Sequence, residues 1–559
     1  MFYLKISLDL IQLYHYGGSV RIHFVFFVLI LSASQLFAAL KLPAVISDRM
    51  VLQQQLSLPI WGWGDAGQEV SVSFAGQTQT TTVKANGEWR VNLNPLKASS
   101  ENRIMKVTMG TESKTLNDVV VGEVWICSGQ SNMGWSLNGS AQKTKDPIHQ
   151  PIADWTKKEL ETEFDPLIRQ ISSPTITSYN EEKNDIKGSW VEANSANNKK
   201  NFTAVGYFFA KELRRKLNVP VGLLKCPWGG KKIQPFIPST QYKKDPELNK
   251  YYNDSLANLE KVMKTFDPAK LKAKNEAAMA KWKEKSKKAK ADGKAAPRRP
   301  RNGVSPALNP NFPSTLYNSM INPLVPFGVK GAIWYQGESN AGSDAPLYGK
   351  YLKTLIDGWR DRWGQNDFPL YYCQLASFQK PSNHPLDKNS WVTVCDEMRR
   401  ALSHKNMGMA VLNDVGEATD IHPRNKKDPG ERLAYWALAK DYGFTDTVYS
   451  GPLYKSHSIK GNQVTIKFDS VGKGLMTARK HLLDPAKAVD EKLQGFQICG
   501  ADRKWKWAEA SIINNSEVTV SHPEIANPTI VRYAWAPNPI QANLYNKSGL
   551  PTSVFSTKD

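Results

Sequence analysis

The 559-residue chain is poor in cysteine: Cys127, Cys226, Cys373, Cys395 and Cys499 make an odd number with no Cys-x-x-Cys pair. That excludes a disulfide-stapled scaffold and a cysteine zinc site. Cys127, Cys226 and Cys373 lie in or beside apolar runs and read as buried free thiols. There is no glycine-rich phosphate loop and no cluster with metal-ligand spacing, so no cofactor and no metal is expected. Zinc-finger spacing and a recognition-helix pattern are missing too. No serine sits in a Gly-x-Ser-x-Gly elbow, which disfavours the common α/β-hydrolase variant. After residue 31 no apolar run is long enough to span a bilayer. Histidine is scarce, nine in all, so few imidazoles are available for acid–base work.

What is abundant is positive charge, a formal +21. It is concentrated. Residues 261–301 carry fifteen Lys or Arg against four Asp or Glu, about half the whole excess. Residues 241–306 are Lys- and Ala-rich with few large apolar side chains, and read as an exposed helical insertion ending in a disordered Pro/Arg stretch near 295–301. The rest is only mildly basic, so a nucleic-acid partner is not expected.

At the amino terminus Arg21 and His23 precede an apolar run over 24–31 and small residues at 38–39. This is the layout of a signal peptide spanning 1–39, too short for a comfortable span. Export to the periplasm or the outside is the expectation, without stable membrane insertion. Residues 40–118 alternate apolar and polar residues and read as a β-sandwich domain, with Asn86-Gly87 as a hairpin turn between 80–83 and 89–93. Trp61 and Trp63 read as core rather than a sugar platform.

From residue 119 to 450 the pattern is that of an α/β domain with a parallel sheet. Val205, Phe208, Phe209, Leu213 and Leu217 share one helical face, followed by a strand over 221–224. Further strands fall at 329–334, 370–375 and 409–412, with helices over 348–363 and 431–440. Alternation returns from 451 to 559, a second β-rich region.

The chain is organised around residues 120–134. A β-branched apolar run ends in Ser128-Gly129, a tight-turn pair, and Ser131 follows at once. In open α/β sheets ligands bind outside the carboxyl ends of the strands. A serine placed there is a candidate nucleophile if a base can reach it. Two other strand-end loops carry fitting chemistry. One holds Gln336, Glu338 and Asn340. The other holds Asp414, Asp420 and His422, the one histidine beside a carboxylate in a strand-end loop, whereas His404 and His457 lack comparable company in sequence.

Gly129-Gln-Ser-Asn-Met133, Trp334-Tyr-Gln-Gly-Glu-Ser-Asn340 and Asp420-Ile-His-Pro423 together resemble the sialate O-acetylesterase family of SGNH-type hydrolases. The flanks resemble it as well, from Met50-Val-Leu-Gln53 with Trp61-Gly-Trp63 to Val531-Arg-Tyr-Ala-Trp535. The resemblance implies a three-layer, flavodoxin-like esterase domain between β-rich flanks. It implies Ser131 as nucleophile, His422 as general base and Asp420 as its orienting carboxylate, with Asp414 the alternative. Backbone N–H groups of Ser131 and Gly229 and the Gln336 side chain are implied oxyanion donors. Glu338 is expected to hold the loop, and Asn340 to stand near the rim. Lys231 and Lys232 depart from the family's hydroxyl residues; they either favour an anionic substrate or point into solvent. The expected activity is deacetylation of sialic acid or related acetylated carbohydrates. The rivals are an acetylxylan-type esterase and a non-catalytic glycan-binding protein.

Overall fold

The structure, a computed structural model, describes residues 39–365, 367–386 and 388–558, so nearly all of the expected signal segment lies outside the described residues. Among the described residues no helix is long and apolar enough to cross a membrane. The chain begins with strands β1 (Val51–Gln53), β2 (Leu58–Trp63), β3 (Glu69–Phe74), β4 (Gln77–Thr82), β5 (Glu88–Leu93) and β6 (Ser99–Met109). Val70, Val72 and Phe74 of β3 alternate inward with Trp89, Val91 and Leu93 of β5, the period-two pattern of half-buried strands.

Asn86-Gly87 does not close a hairpin ladder. β4 pairs with β3 and β5 pairs with β2, so the chain crosses between two sheets at this turn. Gly87 takes φ +82°, its N–H donates to Lys84 O at 2.9 Å and Lys84 N–H donates to Glu88 O at 2.8 Å, a closed local turn whose flanking strands pair elsewhere. Trp61 and Trp63 are half-buried, with Trp61 packed against the core.

The boundary expected at 118/119 falls inside one strand, β7 (Glu112–Gly129), eighteen residues long. Its first half pairs antiparallel with β6, and its second half runs parallel between two strands of the next sheet. Asp118, at φ +57°, interrupts the β6 ladder, but Val119 and Val121 still pair with β6, and the new partners begin at Glu123 with β10. That next sheet adds β8 (Asp165–Ser172), β9 (Val191–Ala193), β10 (Val221–Lys225), β11 (Gly331–Tyr335), β12 (Leu370–Cys373) and β13 (Met407–Ala410). Its order is β13-β12-β11-β7-β10-β8-β9, all parallel except the edge strand β9. After β10 the chain crosses to the far side of β7 to build β11, a topological switch point whose carboxyl-end crevice is a ligand position.

Helix Ala204–Leu217 packs on one face through Val205, Phe208, Phe209 and Leu213, all buried, as its spacing predicts. The Thr203 side chain caps its N-terminus and Asn218, at φ +54°, closes it. Truncating Phe209 to alanine costs about 3–5 kcal/mol, since its ring meets Trp125 of β7 edge-on at 4.9 Å.

The insertion forms helices Pro246–Lys264 and Pro268–Ala291, and no residue of the second is buried. The expected disordered tail instead returns along that helix: Trp282 Nε1–H donates to Pro297 O at 2.7 Å, and Asn275 and Gly303 exchange two hydrogen bonds. The carboxyl-terminal region is all β, built around Tyr454, Phe468, Phe496, Tyr533 and Phe555. It is tied to the central sheet through Gln374 Nε2–H on Ser553 Oγ at 2.9 Å and Asn413 Nδ2–H on Thr552 O at 2.8 Å.

Candidate active site

β7 ends at Gly129, which takes φ +133°; a Cβ there would lie 2.2 Å from Tyr335 O, so only glycine lets β7 end this close to β11. The turn continues through Gln130, whose N–H donates to Tyr335 O at 2.9 Å, and Ser131 begins the short helix Ser131–Gly134. Ser131 is half-buried. The loop after β10 runs beside it. Trp228 N–H donates to Gly129 O at 3.0 Å, and a Cβ on Gly229 would sit 3.3 Å from Ser131 Cβ. Glycine at 229 keeps the backbone against the serine.

His422 arrives from the loop after β13, and two side chains hold it to the serine turn. Trp135 stacks on the imidazole at 4.6 Å with 13° between planes, and Trp135 N–H is anchored to Ser131 O at 2.7 Å. Asn132 Nδ2–H donates to Ile421 O at 3.1 Å. Asp420 Oδ1 accepts the His422 backbone N–H at 3.0 Å and lies 3.5 Å from Nδ1. The first contact is a good hydrogen bond and the second is a loose one. Asp414, the alternative carboxylate, is engaged elsewhere: it makes a bidentate pair with buried Arg432 at 2.6 and 2.8 Å. Of the two, Asp420 is the one beside the imidazole.

Electrostatics set both groups. Burial lowers the His422 pKa below that of an ordinary imidazole; Lys426 and Arg424 lower it further, and Asp420 only partly offsets them. Burial pushes the Asp420 carboxyl up, but the His422 N–H and the charges of Lys145, Arg424 and His422 outweigh it, and its pKa ends below the usual value. Asp420 is therefore an anion and His422 a free base at neutral pH.

Three expected residues stand one step back from the serine. Gln336 is fully buried, and its amide N–H groups face Asn340 Oδ1 at 2.8 Å, Lys231 O at 3.1 Å and Gln130 Oε1 at 3.2 Å. Two amide hydrogens facing three protein acceptors leave none for an oxyanion, so the third-donor role is corrected to one of loop support. Asn340 is equally internal: its Oδ1 accepts Ile233 N–H at 3.0 Å and its Nδ2–H donates to Gln234 Oε1 at 3.0 Å, which removes it from the rim. Glu338 holds the loop by accepting Asn132 Nδ2–H at 2.5 Å. Lys232 pairs with Asp344 at 2.5 Å, and the Lys231 ammonium lies 5.5 Å over the Trp228 ring.

Sequence reasoning missed Trp135, Arg424, Lys145 and Lys426. Trp135 carried a signal, since it stands four residues after Ser131 on a turn that becomes helical. Lysine gave none, because it is almost never fully buried unless paired. Two clefts, of about 680 Å³ around Trp507 and about 460 Å³ around Glu123 and Tyr442, lie away from Ser131 and His422. Among the described residues no group of three His, Cys, Asp or Glu could hold a metal ion.

The profile of a family described as carbohydrate esterase, sialic acid-specific acetylesterase, matches residues 121–274 and 303–434. The gap falls on the cationic helix and its returning tail. The chain is 28% identical to the sialate O-acetylesterase of Rattus norvegicus, over 92% of this chain and 93% of the relative. It is 26% identical to that of Homo sapiens, over 91% of each. Among solved structures it superposes on a carbohydrate acetylesterase from Xanthomonas citri with TM-score 0.73 and 31% identity, over 93% of this chain and all of the other. The chain is thus a carboxylic ester hydrolase and belongs to the carbohydrate esterase family of sialic acid-specific acetylesterases.

Proposed function

We propose that the protein is an exported O-acetylesterase that removes acetyl groups from sialic acid or related acetylated sugars through a Ser131–His422–Asp420 unit. The observation that carries the reading is the convergence of two loops. Trp135 and Asn132, from the serine turn, hold the His422 loop, and Asp420 lies beside the imidazole. The parallel strand order, with the serine just past central β7, supports an SGNH-type three-layer fold. The basic, apolar amino terminus supports export.

Ser131 Oγ attacks the acetyl carbonyl while His422, through the ring nitrogen not facing Asp420, takes the hydroxyl proton. Backbone N–H groups of Ser131 and Gly229 stabilise the oxyanion. Collapse of the tetrahedral adduct breaks the ester C–O bond, and His422 returns the proton to the departing sugar oxygen. Water attacks the acetyl-serine by the same route in reverse, releasing acetate and restoring Ser131. Asp420 fixes the loop and the imidazole orientation and stabilises the imidazolium. Labelling by a serine-directed acetyl-ester phosphonate tests the reading: it predicts modification of Ser131 alone and none in His422→Ala. Labelling at another serine would overturn it.

A further inference from the structure

Behind Ser131 lies a buried charged group with no part in the chemistry above. Lys426 is 1% exposed, immediately precedes helix Lys427–Asp441, and its ammonium donates to Asn132 Oδ1 at 2.6 Å. The same Asn132 amide donates through Nδ2 to Glu338 Oε1 at 2.5 Å and to Ile421 O at 3.1 Å. A lysine ammonium has only donors, and a carbonyl or a carboxylate anion has only acceptors. Flipping the amide would set Nδ2–H against an ammonium and Oδ1 against two acceptors. One orientation of Asn132 is therefore enforced. Asn132 is the chain neighbour of Ser131, Ile421 is the chain neighbour of His422, and Glu338 ends the loop after β11. One amide pins all three loops, and Lys426 decides which way it faces.

We propose that Lys426 is a positioning residue of the esterase site: through Asn132 it ties the serine turn to the histidine loop, and it sets its positive charge one amide away from the chain neighbour of His422. The inference rests on the esterase reading of Ser131 and His422. The groups around Lys426 agree with it. Glu338 and Glu417 supply negative charge, Arg424 adds positive charge, Cys373 is neutral, and the Tyr335 ring lies 5.7 Å from the ammonium. Around His422 stand Asp420, Arg424 and the Trp135 ring, with Lys145 3.8 Å from the Asp420 carboxylate. Burial brings the Lys426 pKa down to about 7. The charge is thus in place throughout the acidic range in which His422 titrates. Above that range a neutral amine still donates to Asn132, so the tie outlasts the charge.

The test compares the native chain with Lys426→Met, Lys426→Arg and Asn132→Leu, each checked by thermal melt. The readouts are the His422 ring titration by NMR, assigned with His422→Gln, and the pH dependence of kcat and KM on 4-nitrophenyl acetate. In Lys426→Met, His422 titrates higher by about half a pH unit or more. The acid limb of kcat/KM follows it, and kcat falls about tenfold with KM held, as for a nucleophile and base set slightly apart. Lys426→Arg restores the acid limb. Asn132→Leu, which keeps the ammonium, loses kcat about tenfold without moving the acid limb, and it alone decides the tie should Lys426→Met not fold. An unchanged His422 titration in folded Lys426→Met, or full kcat in Asn132→Leu, overturns the inference. A native chain inactive on acetyl esters would instead sink the esterase reading, while the His422 titration still reads the charge coupling.

Discussion

Two histidine–carboxylate pairs in this molecule invite comparison. His404 Nε2 lies 2.7 Å from Asp357 Oδ1, while His422 Nδ1 lies 3.5 Å from Asp420 Oδ1. By distance alone the first pair is the better one. Yet the Asp357 side chain is 45% exposed and that of Asp420 11%. No described contact links His404 to a serine turn, whereas Trp135 and Asn132 join the His422 loop to Ser131. The difference teaches that a His–Asp contact is common surface chemistry. What makes one of them a site is burial, an aromatic face and a strand-end serine held to the same loop.

The sharpest ways to break this comparison act on the serine and the two histidines. Ser131→Ala and His422→Ala are each expected to lower kcat on an acetyl ester at least about a thousandfold, the scale for removing one member of such a unit. His404→Ala is expected to stay within about twofold, since exposed pairs contribute little. Steady-state rates on the four proteins decide it, and a comparable loss in His404→Ala would erase the distinction.

The carboxylates sharpen it next. Asp420→Asn is expected to cost about a hundredfold in kcat with folding retained. Asp414→Asn leaves the Arg432 guanidinium buried without its anion and is expected to cost about 3–5 kcal/mol of stability, read by denaturant melts. The reverse pattern would make Asp414 the orienting group.

A smaller effect concerns pH. A proton-accepting His422 must be neutral, and its pKa is lowered by burial first and Lys426 second. The acid limb of kcat/KM is therefore expected below the ordinary histidine value of about 6.5, with activity lost as pH falls through it. An acid limb above that value contradicts the electrostatics. The smallest effect belongs to the cationic insertion. Asn275 and Gly303 are already joined by two hydrogen bonds, so deleting 276–302 closes a bridged gap. Rates on small acetyl esters are expected to stay within about twofold, as for surface segments that bury nothing.

How much of this was legible in the sequence follows from range. The strand, turn and serine at 120–134 and the helix through Val205 and Phe209 are local patterns, and their periodicity suffices. β7 crossing the expected boundary was not legible, because its second half is held by β10 and β11, strands far along the chain, while its first half is held by β6. Asn86-Gly87 is a sound turn signal, but the strands on its two sides are claimed by others, β4 by its hairpin neighbour β3 and β5 by the more distant β2. Gln336 and Asn340 carry the right groups for a rim, and only the packing shows them turned inward on each other. His404 found its acid 47 residues away, a spacing no motif encodes. Lys426 is the extreme case: its residue type argues for solvent, and only the buried Asn132 and Glu338 account for its place.

Whether Ser131 is the nucleophile is read from acetate release on an activated acetyl ester by the native chain and by Ser131→Ala, matched in thermal melt. Steady release by the native chain and a loss of at least about a thousandfold in the variant are expected. Equal release by both would place the nucleophile elsewhere and contradict that assignment.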